Sequence, residues 1–120
     1  MGRENPFQSS VLKFLNSLPG CVAEYVSGNA QQSGRPDING CIKGRMFKIE
    51  LKTKDNEYKP SKKQQLNLRR WRRSRAIVGV VYSLDFLKEV FQSEGFPWAV
   101  GFFEKDEEND CYSWIDVPEV

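Results

Sequence analysis

Apolar residues change their spacing repeatedly along this chain, and each change marks an element. Phe7, Val11, Leu12, Leu15 and Leu18 recur at helical spacing, which predicts a helix over residues 6–20, with Pro6 in its first turn and Pro19-Gly20 ending it. Residues 21–28 carry Val22, Tyr25 and Val26 and predict a strand, followed by the polar loop "NAQQSG". From Gly34 to Lys54 the pattern predicts a hairpin that turns at Lys43-Gly44 or nearby. Residues 61–74 predict a second helix, with Ser61 as N-cap and Gln64, Leu68 and Trp71 on one face. "AIVGVVYS" (residues 76–83) is apolar without alternation, as a strand covered on both faces requires. Leu84, Leu87, Val90 and Phe91 mark a third helix over residues 84–93, and a final hairpin is predicted over residues 96–117 with an acidic turn at Asp106–Asp110. The order helix, three strands, helix, strand, helix, hairpin predicts an α/β fold with a mixed β-sheet flanked by helices. The 76–83 strand is expected to run parallel to residues 47–53 through a right-handed crossover.

Length and composition narrow the class. A chain of 120 residues is expected to form a single domain, 1–120, around one core. No apolar run approaches the roughly 20 residues of a membrane span. "MGRENPFQSS" has neither the layout of a signal peptide nor a myristoylation pattern, so a cytoplasmic, intracellular protein without membrane partners is expected. Cys21, Cys41 and Cys111 are odd in number and widely spaced, as free thiols of a reducing compartment are. The chain has no histidine, which removes imidazole bases, Ser-His and Cys-His triads and the common zinc sites. Catalysis, if present, must come from carboxylates, lysines, hydroxyls or a hard metal ion.

The net charge of +2 conceals a strong asymmetry. Between Arg35 and Arg75 fourteen basic residues face four acidic ones, a net +10, whereas residues 76–120 are −8 and residues 1–34 balance. A basic middle and an acidic end predict one face that meets a polyanion and another that avoids it. The candidate phosphate contacts are Arg35, Lys54, Lys62, Lys63, Arg69, Arg70, Arg72 and Arg73. Trp71, inside "RRWRR", is expected to pack in the core rather than to stack on bases. The same expectation of core packing holds for Trp98, Phe102, Phe103 and Trp114, with a dimer interface as the alternative.

The predicted hairpin carries the chemistry. Alternation puts Glu50 and Lys52 on one strand face and Ile49 and Leu51 on the other. A turn at Lys43-Gly44 brings Asp37, at the start of the neighbouring strand, opposite Glu50. Two carboxylates this close repel unless a divalent cation lies between them. An all-oxygen site, to which the Leu51 carbonyl can add, favours Mg²⁺ or Mn²⁺ over zinc. Lys52 is then placed to orient water or offset charge on a phosphate. Taken singly, Pro-Asp turns and Glu-x-Lys strands are common as solvated surface; their order and the basic helix that follows set them apart.

This ordered set resembles the PD-(D/E)xK nuclease superfamily and, within it, the virus-type replication-repair nuclease (VRR-NUC) family. The resemblance rests on "GRPDI" with Asp37, "IELK" with Glu50 and Lys52, and "PSKKQQLNLRRW", and covers roughly residues 4–90, leaving the hairpin outside. It implies a restriction-endonuclease-like fold and a metal-dependent endodeoxyribonuclease that hydrolyses phosphodiester bonds. Stand-alone members of this size are mostly phage-encoded and resemble Holliday-junction resolvases acting as homodimers on branched, four-way DNA. By resemblance Gln64, with Gln65 as rival, faces the site alongside the catalytic Asp37, Glu50 and Lys52, and Glu4, four before Gln8 in the first helix, joins Asp37, Glu50 and the Leu51 carbonyl as a metal ligand. Glu4 departs from the pattern in preceding Pro6, and Glu24 competes for its place. Flap, nicking or restriction-type cleavage, or a non-catalytic DNA-binding module, are the alternative functions. No small-molecule cofactor is implied.

Overall fold

The computed structural model describes residues 6–26, 36–52, 62–97, 102–106 and 111–115. Its elements run α1 (Pro6–Ser17), β1 (Cys21–Tyr25), β2 (Ile38–Ile42), β3 (Arg45–Leu51), α2 (Lys62–Arg73), β4 (Ile77–Val81), α3 (Leu84–Phe91), β5 (Phe102–Asp106) and β6 (Cys111–Ile115). The fold is α/β, a mixed sheet flanked by helices. The strands lie in sequence order; β1–β2, β2–β3 and β5–β6 pair antiparallel, and β3–β4 and β4–β5 parallel. The expected parallel pairing of β3 with β4 is present, in the register Glu50 opposite Val80.

The β2–β3 hairpin turns at Lys43-Gly44 as the pattern predicts. Both residues have positive φ, 50° and 86°, which suits the right-handed twist of the flanking strands and makes glycine the natural second residue. Helix α1 stops at Ser17, short of the predicted residue 20, because Leu18 N–H bonds back to the Leu15 carbonyl and Pro19 cannot continue the ladder. Helix α3 begins at the N-cap Ser83, whose hydroxyl accepts from Phe86 N–H at 3.2 Å, and ends at Phe91 rather than residue 93. Strand β1 ends at Tyr25, earlier than residue 28.

Strand alternation sorts side chains onto two faces of the sheet. Phe47, Ile49, Leu51, Ile77 and Val81 join Ile38 and bury against Val11 and Leu15 of α1 and Phe86, Leu87 and Val90 of α3. The rings of Phe14, Phe47 and Phe96 gather around Phe91 on this side. Val78 and Val80 point the other way and bury against Leu68 of α2, with Trp71 and Tyr82 half-buried beside them. Thus α2 covers one face, and α1 and α3 the other. Since β3, β4 and β5 are adjacent in chain order while α2 and α3 lie on opposite faces, the two crossovers have opposite hands, and one departs from the right-handed rule.

Among the described residues no helix is long and apolar enough to cross a membrane. Cys21 and Cys41 are free; burial, aided by Cys41, pushes the Cys21 thiol up to about 11, so it is a packing residue and not a nucleophile. Trp98, the side chains of Phe102, Phe103 and Trp114, and the acidic turn after Asp106 lie outside what the structure describes.

Candidate active site

The β2–β3 register decides which charged groups meet. Ile38 pairs with Ile49, so the next step out places Asp37 opposite Glu50, on the α2 face. Asp37 lies one residue before β2 and is tied down on both sides. Its carbonyl accepts from Val26 N–H at 2.7 Å, and its Oδ2 accepts from Leu51 N–H at 2.8 Å. Leu51 thus serves the site through its N–H as well as anchoring β3 by burying its side chain. Lys52 N–H continues the β3–β4 ladder to the Val81 carbonyl at 3.0 Å, which fixes the strand at the point where its side chain leaves it.

Glu50 is a buried carboxylate, with 1% of its surface exposed. Its Oε2 accepts from Gln64 Nε2 at 2.7 Å and lies 3.8 Å from Lys52 Nζ. Its Oε1 is buried and meets no hydrogen-bond donor among the described residues. The Asp37 carboxyl, itself an acceptor when ionised, lies close to the Glu50 carboxyl. Burial and the Asp37 charge push the Glu50 carboxyl up to about 9, against the pull of Lys52. Burial also raises Asp37, opposed by its bond from Leu51 N–H, by Glu50 and by Lys52. At neutral pH the bare pair therefore keeps a proton that an isolated carboxylate releases.

Comparison of the chain with protein-family models, curated proteins and solved structures returned no match.

The residues present suit a hard divalent cation. A buried carboxylate oxygen without a donor, next to a second carboxylate, is the position that a cation fills in place of a proton. The pair is small: among the described residues no three acidic, cysteine or histidine side chains form a metal-binding group. Mg²⁺ and Mn²⁺ fit such a set because they keep several waters and share one or two carboxylates with substrate phosphate. Glu4 lies outside the described residues. Helix α1 starts at this end of the sheet, since Gln8 Nε2 donates to Tyr25 Oη at 3.1 Å, one residue from the Val26–Asp37 contact. Glu24 does not reach the pair. It stands opposite Asn39, two register positions from Asp37, with its side chain exposed.

Helix α2 resolves the choice between adjacent glutamines. Gln64, Leu68 and Trp71 face the sheet, and Gln65 is exposed. Lys62, Lys63, Arg69, Arg70 and Arg73 form the exposed basic side, whereas Arg72 is half-buried and belongs to its margin. Arg35 and Lys54 lie outside the described residues. One charged residue had no assigned role in the sequence pattern: Lys48 is buried, with its ammonium 3.8 Å from the centre of the Trp71 ring. Alternation does put Lys48 on the same face as Glu50; only the position of Trp71 over it makes the burial evident.

Proposed function

We propose that this chain is a PD-(D/E)xK nuclease of the VRR-NUC type, a Mg²⁺- or Mn²⁺-dependent endodeoxyribonuclease that cuts branched DNA, four-way junctions foremost, as a homodimer. The observation that carries the reading is the buried Glu50 carboxyl close to that of Asp37, its Oε1 without a donor among the described residues and its Oε2 3.8 Å from Lys52 Nζ. Asp37 and Glu50, with the Leu51 carbonyl, would hold the metal, and Glu4 is the proposed further ligand. The bound metal lowers the pKa of its water and offsets phosphate charge.

The chain's own groups supply positioning and charge. Gln64 donates to Glu50 Oε2 and so fixes the orientation of the Glu50 carboxylate, leaving Oε1 open. Leu51 N–H does the same for Asp37 Oδ2. Lys52, with a side chain 15% exposed, places an ammonium at the mouth of the site, where it favours the extra negative charge of a pentavalent phosphorus transition state. The exposed bases of α2 follow the site along one helix and offer sequence-independent phosphate contacts. A homodimer sets two such sites on opposed strands of a near-symmetric junction.

The test is cleavage of labelled four-way junction, flap, splayed-arm and linear duplex DNA with Mg²⁺, Mn²⁺ or EDTA. Paired symmetric nicks in the junction, abolished by EDTA, are expected. Asp37→Ala and Lys52→Ala should each remove cleavage while junction binding persists. Cutting of flaps alone would move the chain to a flap nuclease, and binding without cutting under any metal would make it a DNA-binding module.

A further inference from the structure

At the opposite end of α2 from Gln64 lies a groove of about 480 Å³, walled by Met46 and Trp71 and rimmed by Arg45 and Arg75. Arg45 is half-buried. Its Nε donates to the Arg75 carbonyl at 3.1 Å and its Nη1 to the Pro97 carbonyl. This anchoring holds the Arg45 guanidinium against the Arg75 backbone, and burial and the Arg75 charge together lower the Arg45 pKa. Two cations on the rim of one groove repel, and an anion bound there offsets that repulsion.

Arg75 itself sits in an unusual conformation. Helix α2 ends with Arg75 N–H bonded to the Arg72 carbonyl and Ala76 N–H to the Trp71 carbonyl, the paired closure that needs a left-handed residue between them. That residue is Arg75, with φ 74°. Glycine is the usual occupant, and a side chain there carries a steric cost. An arginine in glycine's place keeps a cation at the groove rim against local preference, and such outliers concentrate where function requires them.

The rest of the groove has the character of a base site. Trp71 is half-buried and Met46 is 44% exposed, so an apolar wall stands in the same groove as the two arginines. Five strand steps separate Arg45 from Glu50, roughly 16 Å at the rise of a β-strand. We propose that this groove seats one unpaired nucleotide of the DNA strand that runs along α2, its phosphate between Arg45 and Arg75 and its base against Trp71. The inference rests on the DNA-cleaving reading above and deepens it: the branched substrate gives up the pairing of one nucleotide at its branch point, a few nucleotides from the cut.

Arg75→Gly tests it directly, because glycine suits the left-handed helix end while the whole cationic side chain is removed. Affinity is read by fluorescence anisotropy in EDTA, on duplex DNA with an unpaired overhang and on the blunt duplex, over a salt series. The variant should melt at or above the wild-type temperature, lose about tenfold in affinity for the overhang DNA, lower its salt slope by roughly 0.7, and bind the blunt duplex nearly as well as wild type. Unchanged overhang affinity, or equal loss on both DNAs, would overturn the groove assignment while wild-type cleavage of junctions leaves the nuclease reading standing. Failure of the wild-type protein to bind either DNA would overturn both.

Discussion

Glu50 makes the metal-free protein sensitive to pH in a direction opposite to that of a salt-bridged acid. Its carboxyl is ordinarily near 4.5 and is pushed up to about 9 in the fold by burial and by Asp37. A raised pKa means that the folded state holds the proton longer than the unfolded chain, so stability is fully present below about 4.5 and is lost as pH rises towards 9. Each unit of such a shift is worth about 1.4 kcal/mol, or about 5 °C in melting temperature at this chain length. In EDTA, wild-type melting should therefore fall by at least about 5 °C between pH 5 and pH 8.5, and Glu50→Gln should flatten that fall and melt higher at pH 8.5. Mg²⁺ should restore the wild type at pH 8.5 and leave Glu50→Gln unmoved; identical melting of the two proteins at both pH values would remove Glu50 from the role given to it. Much of this site was legible beforehand, because strand period puts Glu50 and Lys52 on one face and a two-residue turn fixes Asp37 opposite. The buried Lys48 was not, since its burial depends on Trp71, more than twenty residues later in the chain. The exclusion of Glu24 depended equally on a register that only pairing reveals.

At the scale of elements, the hairpin holds its register through one small residue. Gly40 pairs with Phe47 across β2–β3, and the Phe47 ring occupies the space above it. A Cβ at Gly40 would collide with that ring and stand 2.5 Å from the Val22 carbonyl oxygen, which is backbone and cannot swing away. Gly40→Ala should cost about 2–3 kcal/mol, an overpacking penalty, seen as a lower urea midpoint with an unchanged m-value; a midpoint equal to wild type would show that the strands separate freely. Its DNA cleavage under fully folding conditions should fall as well, because Asp37 reaches Leu51 N–H only in this register. Helix centres and the hairpin turn were readable because spacing and left-handed residues are local signals. Helix ends were read one to three residues too long, since apolar residues such as Leu18 continue to pack on the core after the hydrogen-bond ladder has stopped. The placement of α2 and α3 on opposite faces was not readable from the crossover rule, which favours the same hand for both.

Across the whole molecule, charge is distributed by segment, and the fold turns that distribution into a surface. The net +10 of residues 35–75 contains the site strand and all of α2, while the −8 of residues 76–120 lies in the part of the chain that supplies α3 and the final hairpin. Helix α2 packs on the sheet face that bears Glu50, and α3 packs on the other, so the exposed bases and the carboxylate pair share one side and the acidic residue Asp85 of α3 begins on the opposite one. An acidic substrate is therefore drawn to the side where cleavage is proposed, and the attraction must weaken with salt in proportion to the phosphates neutralised. Arg70 and Arg73 are both exposed on α2 and contribute nothing to its packing face. Arg70→Ala combined with Arg73→Ala should leave the melting temperature within about 2 °C of wild type and reduce the slope of log affinity against log salt by roughly 1.8, about 0.9 for each phosphate released. Cleavage at saturating DNA should stay near the wild-type rate, because neither residue touches the carboxylate pair. A salt slope equal to that of wild type would place the DNA elsewhere on the surface; a lost cleavage rate with an unchanged slope would mean that these arginines act at the site itself.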